Sequence, residues 1–331
     1  MIHRFFTLLL AVIFCVLAAC APPTESSVPP SAPPSSEADI PSQDTAYTFT
    51  DALGNRITVD RPQRVVSFYG SFAEMWVLAG GSLVGTTDDA ITERGLSLGE
   101  NVSIIGGTKT PNLELTLNLA PDLVLLSADT TDHVQAAGTL QSAGIPCAFF
   151  RVDTLEDYLH AMEICTGITG RADLYKENAL SVQAQAQAVM EKVRLAAETE
   201  PPTVLLLRAY STGAKAKGMD NLAGVMLHDL GAKNLVENHP SLLEELSMEE
   251  IIAADPDYIF VTIMGSSTQK ALDALAAGVQ ANPAWNSLSA VKNGRYIILP
   301  GELFHYKPNR RWGESYEYLA KILYPEAMGE G

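Results

Sequence analysis

Residues 171–200 read RADLYKENALSVQAQAQAVMEKVRLAAETE and contain neither Gly nor Pro. Apolar residues recur along this stretch in alternating steps of four and three, which is the spacing of one helix face. They are Tyr175, Ala179, Val182, Ala186, Val189 and Val193. At 1.5 Å per residue the segment would be about 40 Å long, the size of a small domain. We interpret it as a helix that joins two halves of the chain, although a long surface helix would show the same periodicity.

A short unit repeats on either side of this helix. Leu113-Glu114 is followed by Pro121-Asp122, and Met248-Glu249 is followed by Pro256-Asp257, with seven residues from Glu to Pro in both cases. Each unit predicts a short helix with an outward Glu, a Pro-Asp stop and then a buried strand. One copy is a common helix-to-strand connection in α/β proteins, but two copies with the same spacing indicate two similar halves.

Elsewhere short apolar runs alternate with helical patterns, which predicts parallel sheets covered by helices. We therefore expect an α/β fold: two lobes with mostly parallel sheets, one long connecting α-helix and a ligand cleft between the lobes. After a hairpin at 47–59, strands are predicted at 64–68, 83–86, 103–105, 122–127, 146–150, 204–208, 258–262 and 296–299. Helices are predicted at 71–79, 113–119, 132–143, 155–166, 221–230, 249–254, 269–277 and 313–323. The predicted domains are an N-terminal lobe at 47–152, a connecting helical region at 153–200 and a C-terminal lobe at 201–326.

The N-terminus has the features of an export signal. His3 and Arg4 precede the apolar run 5–17, which is too short for a spanning helix. The run ends in LAAC at 17–20 and resembles a bacterial lipobox, so residues 1–19 are expected to be a lipoprotein signal peptide and Cys20 to be acylated. A standard signal followed by a chance Cys is the alternative. Residues 20–46 are rich in Pro, Ser and Ala and predict a disordered tether.

Charge and cysteine usage agree with an extracytoplasmic location. The 331 residues carry a formal charge of −17, which argues against nucleic acid as a partner because phosphate backbones require Lys and Arg patches. Cys15 would be removed with the signal, which leaves Cys147 and Cys165 in the folded part. They could pair in an oxidising compartment or remain as small buried thiols.

Most motifs of the common hydrolases and redox enzymes are absent from the sequence. It contains no His-Glu-x-x-His or Cys-x-x-Cys and no phosphate-binding loop, and its one Gly-x-Ser-x-Gly match, at 95–99, lies outside the predicted strands and helices. Ser71 follows Gly70 without an evident acid–base pair, and His228, His239 and His305 are too scattered to predict a metal site. We expect a protein that is not an enzyme, and keep an extracytoplasmic enzyme as the alternative.

The lipobox and tether, the segments 51–55 (DALGN) and 61–67 (RPQRVVS), and the two Glu/Pro-Asp units together resemble a known family. It comprises the substrate-binding lipoproteins of ABC importers for iron-siderophore complexes, haem and cobalamin, the class III periplasmic binding proteins. The resemblance covers 47–325. It implies a monomer anchored by lipid to the outer face of the cytoplasmic membrane, with lobes that move little.

The resemblance also implies partners and a ligand. Glu114 and Glu249 match the carboxylates that dock Arg clusters on the two permease subunits of the importer. The ligand is expected to be a ferric siderophore, with haem or a corrinoid such as cobalamin as alternatives, and the protein needs no cofactor of its own. A haem scavenger or adhesin that works without a permease is a further alternative.

Ligands of parallel sheets bind at the carboxyl ends of the strands, so residues following the predicted strands are expected to line the cleft. Aromatic side chains beside Arg and Lys suit a flat ligand with anionic groups. His305, or Tyr69 and Tyr306 as phenolates, could also ligate iron, and the sequence leaves this open. The expected lining residues are Phe68, Tyr69, Lys109, Tyr210, Met264, Phe304, His305, Tyr306, Arg310 and Arg311.

Overall fold

The computed structural model describes residues 46–196, 200–265 and 267–329. The predicted signal peptide, Cys20 and the tether up to residue 45 lie outside the described residues. No helix in the described ranges is both long enough and apolar enough to cross a membrane.

The described chain begins with the expected hairpin, in which β1 (Ala46–Thr50) pairs antiparallel with β2 (Arg56–Asp60). The Asp51 carboxylate closes the turn by accepting the backbone N–H groups of Leu53 and Asn55, at 3.0 and 2.8 Å. It also accepts the backbone N–H of Phe149 at 3.2 Å, and this contact docks the hairpin on the first sheet.

The first sheet consists of five described parallel strands in the order β5-β4-β3-β8-β9. In chain order, β4 and β5 are added on one side of β3, and β8 and β9 are then added on its other side. Such a reversal leaves a crevice at the carboxyl ends of the two central strands, β3 and β8. The strands of this half are β3 (Val65–Ser67), β4 (Leu83–Thr86), β5 (Ser103–Ile104), β8 (Leu123–Ser127) and β9 (Cys147–Phe150), with β6 (Gly106–Gly107) and β7 (Thr110–Pro111) in a separate ladder.

The second sheet has the order β11-β10-β13-β14, and β12 also pairs with β10. β10, β12, β13 and β14 are parallel, and β11 is antiparallel to β10. The central strands here are β10 and β13, so the second crevice lies at their carboxyl ends. The strands are β10 (Thr203–Tyr210), β11 (Gly213–Ala216), β12 (Lys233–Asn234), β13 (Tyr258–Ile263) and β14 (Tyr296–Ile298). β11 and β12 were not predicted, because both are too short for a clear apolar alternation.

The helices surround both sheets, and the predicted ones are all present with ends shifted by a few residues. In the first half they are α1 (Gly70–Leu78), α2 (Asp89–Thr92), α3 (Leu113–Asn118), α4 (Thr131–Ser142) and α5 (Leu155–Thr169). The connecting helices are α6 (Ala172–Tyr175) and α7 (Ser181–Ala196). In the second half they are α8 (Leu222–Asp229), α9 (Leu235–Asn238), α10 (Met248–Ala254), α11 (Thr268–Ala277), α12 (Ser289–Lys292), α13 (Gly301–Phe304), α14 (Trp312–Leu323) and α15 (Pro325–Met328). Short 3₁₀ turns occur at Pro240–Leu243, Val279–Ala281, Pro283–Ser287 and Asn309–Arg311.

The long helix is continuous from α6 to α7 through a π-helical turn, Lys176–Leu180. Its predicted apolar face is buried from residue 179 to residue 193, and Tyr175 is half-buried. Neighbouring helices explain the unpredicted π turn. The Tyr158 hydroxyl donates to the Asn178 carbonyl at 2.5 Å, and the Asn178 amide donates to the Leu78 carbonyl at 3.0 Å.

The two halves share one hydrophobic core across the long helix. Val65 of β3, Val182 of α7 and Val204 of β10 belong to the same buried cluster. The C-terminal helix α14 returns along α7, and a Cβ on Gly313 would lie only 2.6 Å from the Gln185 Cβ. Two packed helices at the junction favour a stiff connection between the lobes.

Cys147 and Cys165 are buried free thiols in separate clusters. Burial raises the pKa of both thiols to about 12. The structure therefore supports the interpretation of Cys147 and Cys165 as small apolar residues rather than as the two halves of a disulfide.

Candidate functional site

The two Glu/Pro-Asp units adopt the same local structure. Asn112 caps α3 and Ser247 caps α10, each by accepting the backbone N–H three residues further on, at 2.9 and 3.3 Å. Glu114 and Glu249 follow two positions after these caps, and both are exposed. Within the described residues neither carboxylate forms an ion pair, so both are open to a partner.

The Asp of each unit fixes the start of the neighbouring central strand. The Asp122 carboxylate accepts the backbone N–H groups of residues 63 and 64, just before β3, at 2.7 and 2.8 Å. The Asp257 carboxylate accepts both the backbone N–H and the hydroxyl of Thr203, at the start of β10, at 2.8 Å each. These contacts set the register of the strands that lead to the crevices.

The wall of the first lobe is built from the ends of β3 and β4. Tyr69 follows β3, and its pKa is raised to about 12, mainly by burial and further by Asp89 and Glu93. The buried Asp89 accepts the backbone N–H of Gly70 at 2.7 Å, which joins α2 to the start of α1. A Cβ on Gly70 would lie 2.5 Å from the Ala90 nitrogen, so this close approach requires glycine.

Glu93 is a partly exposed carboxyl at the end of α2. Its pKa is raised to about 7 by loss of hydration and by the charges of Asp89 and Asp88. The Tyr306 hydroxyl from the second lobe donates to it, and the pKa of Tyr306 is raised by burial and by Glu93. Tyr69 and Tyr306 thus approach the same carboxyl from opposite lobes.

The wall of the second lobe carries basic groups instead. His305 follows α13 and is half-buried, and its Nδ1 has no hydrogen-bond partner among the described residues. Burial lowers its pKa to about 4, and the nearby positive charges of Arg208 and Lys307 add to this effect. The imidazole is therefore neutral at pH 7. The buried Nε of Arg208 also lacks a partner in the described chain.

The segment after His305 holds the two lobes together. Lys307 pairs at 2.8 Å with Asp153, the residue that directly follows the first lobe. The amide of Asn309 donates to the Ser71 carbonyl at 2.9 Å and to the Glu74 carboxylate at 2.6 Å. Asn309 has a φ of 52°, a left-handed conformation that Asn tolerates better than most residues. We call residues 305–311 the bridging loop.

The structure places two of the expected cleft residues in the core. Phe68 is fully buried with its ring edge-on to His133 at 5.6 Å, and Phe304 is buried against Tyr318 at 5.7 Å. Neither ring presents a face to solvent. The expectation that they line a cleft is therefore wrong. Phe68 continues the alternation of β3 and points to the same buried side as Val66, and Phe304 lies on the buried side of α13.

Three expected residues meet near the crevice, and the others are dispersed. Tyr69 and Tyr306 lie close together, since the charges of Glu93, Asp89 and Arg94 act on both phenols. The His305 ring contacts the Tyr306 ring, with their centroids 4.7 Å apart. Of the rest, Tyr210 and Met264 are half-buried at the ends of β10 and β13, Lys109 is exposed between β6 and β7, Arg310 is exposed, and Arg311 forms an ion pair with Glu314.

Sequence reasoning missed several residues of this region. Glu93 and Asp153 lie in segments with no apolar period that would place them beside a strand end. Arg208 had a usable signal, since a lone charge near the carboxyl end of an apolar strand is unusual. Among the described residues, no group of three or more His, Cys, Asp or Glu side chains is arranged to hold a metal ion.

Comparison with known proteins decides the family. The model of the periplasmic binding protein family matches residues 65–303, which is well over half of the chain. The chain belongs to this family. Periplasmic binding proteins carry solutes outside the cytoplasm to ABC importers without transforming them. This binding protein is therefore not an enzyme.

Individual relatives agree over most of the length. The binding protein is 20% identical over 269 residues to the ferric-anguibactin-binding protein FatB of Vibrio anguillarum, covering 79% of this chain and 82% of the relative. It is 22% identical over 254 residues to the Fe(3+)-citrate-binding protein YfmC of Bacillus subtilis, covering 74% and 75%. The periplasmic heme-binding protein RhuT of Roseiflexus sp. RS-1 superposes with a TM-score of 0.64 at 23% identity, covering 80% and 99%. This structural similarity confirms the expected two-lobed fold.

Proposed function

We propose that this binding protein captures an iron complex, with a ferric siderophore as the first candidate, and delivers it to the permease of an ABC importer. The observation that carries the proposal is the convergence of Tyr69 and Tyr306 on Glu93 from opposite lobes, with the His305 ring against Tyr306. Phenol and imidazole groups hydrogen-bond to the oxygen-rich periphery of iron chelates. The ferric-anguibactin- and Fe(3+)-citrate-binding relatives support the same class of ligand.

The proposed cleft lies between the crevice ends of the two sheets. Tyr69, His305 and Tyr306 would form the centre of its inner surface, and Tyr210 and Met264 would extend that surface from the ends of β10 and β13. We assign Lys109, Arg310 and Arg311 to its rim. Arg310 has no ion pair among the described residues, and Arg311 is paired with Glu314. Phe68 and Phe304 support the surface from the core behind it.

Haem is the second candidate, and His305 is the observation that favours it. A neutral imidazole with an unpartnered Nδ1 is the form that ligates iron. The similarity to a heme-binding protein is compatible with this candidate. Cobalamin or another corrinoid fits the same cleft chemistry, but no particular residue favours it.

The ligand class can be tested with the purified protein. Its visible absorption should show a broad charge-transfer band if a ferric siderophore co-purifies, a Soret band for haem, or a corrin spectrum for cobalamin. Bound ligand should be recovered chemically unchanged. A protein that binds no iron complex and no tetrapyrrole, or that releases a transformed product, would contradict the proposal.

Glu114 and Glu249 are proposed to dock the binding protein on the permease dimer. They occupy the same position in two matching helices, are exposed and lack an ion pair among the described residues. A carboxylate pairs directionally with a guanidinium, so two such contacts would fix the orientation of the lobes on a two-subunit permease. Arg clusters on the permease are the expected partners.

Uptake measurements test this docking. Glu114→Ala with Glu249→Ala should abolish ligand uptake while ligand affinity stays unchanged. The matched control is Glu100→Ala with Glu326→Ala, which removes one exposed carboxylate from each half without touching the repeated units. Uptake that survives the first double substitution would contradict the docking role.

The anchoring scheme is also a proposal. Residues 1–19 would be cleaved, Cys20 acylated, and 20–46 would tether a monomeric body at the outer face of the cytoplasmic membrane. The body would divide into 47–152, the connecting region 153–200, and 201–326, with no nucleic acid among its partners. Incorporation of labelled palmitate should be lost in Cys20→Ser, and an equally labelled variant would exclude lipidation at this residue.

A further inference from the structure

Arg208 lies near the crevice end of β10, on the face of the second sheet that carries the shared core. Val204 and Leu206 point into that core. Side chains alternate along a strand, so Arg208 points to the same side. Its register partners are Lys215 on β11 and Thr262 on β13, and these flank it on that face.

The guanidinium of Arg208 has no acidic partner. Within the described residues it forms no hydrogen bond or ion pair, and its Nε is buried. A half-buried guanidinium without a counter-charge is unfavourable in a folded protein. Three other cations of this region are neutralised by the chain itself: Arg94 by Glu74, Lys307 by Asp153 and Arg311 by Glu314. Arg310 and Lys215 also lack an ion pair among the described residues, but both are exposed to solvent, whereas Arg208 is half-buried. The isolation of Arg208 in a chain of charge −17 therefore points to an anion supplied from outside.

His305 provides a second group beside this cation. The imidazole lies close enough to Arg208 for the guanidinium charge to act on it, and its Nδ1 is buried without a partner. A neutral imidazole does not repel the guanidinium, and it offers one N–H donor. The two side chains reach this point from different parts of the second lobe, β10 and the bridging loop.

We propose that Arg208, assisted by His305, receives a carboxylate of the iron complex bound between the lobes. This inference rests on the proposed function and specifies its ligand as carboxylate-bearing. The planar guanidinium fork matches a carboxylate with two parallel hydrogen bonds, which an ammonium group cannot reproduce. Ferric polycarboxylate chelates and haem, through its propionates, share this chemistry, whereas a neutral hydroxamate chelate lacks it.

Equilibrium titrations with three probes test the assignment: ferric citrate, haemin and the neutral hydroxamate chelate ferrichrome. Arg208→Met should weaken binding of the carboxylate probe roughly 10- to 100-fold, in line with loss of a charge-assisted bidentate contact. Arg208→Lys should fall between Arg208→Met and the native protein. Any ferrichrome binding should stay within about twofold, because no carboxylate is involved. Loss confined to ferric citrate identifies a polycarboxylate, and loss confined to haemin identifies a propionate.

Lys270→Met is the matched control, since it removes one cation from α11, a helix that packs on the opposite face of the same sheet. It should bind all probes like the native protein. Far-ultraviolet circular dichroism shows whether each variant is folded. If Arg208→Met does not fold, the affinities of Arg208→Lys are compared with those of the native protein instead. The inference is overturned if the Arg208 variants bind as the native protein does, if all three affinities fall equally, or if the native protein binds ferrichrome alone. A native protein that binds none of the three also overturns this inference, whereas the proposed function fails only if no iron complex and no tetrapyrrole binds.

Discussion

The two lobes share a frame but differ in the walls that face the crevice. Each frame has a capped short helix, an exposed Glu at its second position, and an Asp that accepts the backbone of the adjoining central strand. Even the residue before each Pro agrees, since Ala120 and Asp255 have φ values of 44° and 40°. These similarities all rest on backbone geometry and hydrogen bonds, which any copy of the unit must reproduce.

The walls differ in charge. Asp88, Asp89 and Glu93 form an acidic edge on the first lobe, whereas Arg208 and His305 form a basic or neutral surface on the second. The frame determines where strand ends lie, and the side chains beyond those ends can vary without cost to the fold. A ligand held between such walls meets unlike groups on its two sides.

The strongest test of the shared frame is removal of its Asp contacts. Asp257→Ala should lower the free energy of unfolding by about 2–3 kcal/mol, because a half-buried carboxylate loses charge-assisted hydrogen bonds to Thr203. Asp122→Ala should cost about 1–2 kcal/mol, since that carboxylate is exposed. Urea denaturation measures both.

Asp132→Ala is the control, as an exposed Asp of α4 outside the unit, and should change stability by less than about 0.5 kcal/mol. If the Asp122 and Asp257 variants behave like this control, the repeated frame does not depend on its Asp contacts.

The bridging loop should show the next largest effect. Asn309→Ala removes hydrogen bonds to the first lobe and puts at φ 52° a residue that tolerates the left-handed conformation less well than Asn, so a loss of about 2 kcal/mol is expected. Asn309→Gly loses the same bonds without the backbone strain and should cost about 1 kcal/mol less. Equal losses in calorimetry would show that the conformation at 309 is unimportant.

The unlike walls should respond to pH in opposite directions. In the folded protein the pKa of Glu93 is raised to about 7. Its contribution to the free energy of unfolding is therefore complete below the usual pKa of 4.5 and is lost as the pH rises through 7. The pKa of His305 is lowered to about 4, so its contribution to the free energy of unfolding is complete above the usual pKa of 6.5 and is lost as the pH falls toward 4. Glu93→Gln should therefore melt at a higher temperature than the native protein at pH 8. His305→Gln should melt at a higher temperature than the native protein near pH 4.5. Parallel pH curves for both variants and the native protein would contradict this difference between the walls.

The smallest expected effect is the movement of the lobes. The paired helices α7 and α14 and the shared core favour a closure of only a few to about ten degrees on ligand binding. Small-angle scattering should show nearly the same radius of gyration with and without ligand. A large compaction would mean that the long helix does not restrain the lobes.

The frame of this protein could be predicted from sequence because its signals are local. The apolar period of residues 171–200, the Pro-Asp stops and the buried strands each depend on neighbouring residues in the chain. The π turn escaped prediction because it follows from contacts of Asn178 with α1 and α5, which are distant in sequence. The short strands β11 and β12 likewise depend on β10 as a template.

The candidate site was less predictable, because it depends on which chain segments meet. Tyr69, His305 and Tyr306 were found by the rule that ligands bind at strand ends. Phe68 failed the same rule because the direction of a side chain alternates at each position. Glu93 and Arg208 acquire their roles only when the bridging loop lies between the lobes, and no local pattern encodes that arrangement.

Hydrogen exchange measured by mass spectrometry, with and without saturating ligand, tests most directly whether the ligand lies between unlike walls. A ligand bound between the walls should add protection in both lobes together: in peptides covering 68–70 and 88–94, and in peptides covering 206–210 and the bridging loop. Peptides covering the surface helix α11 should be unchanged. Protection confined to one lobe, or located away from the strand ends, would contradict binding between the walls.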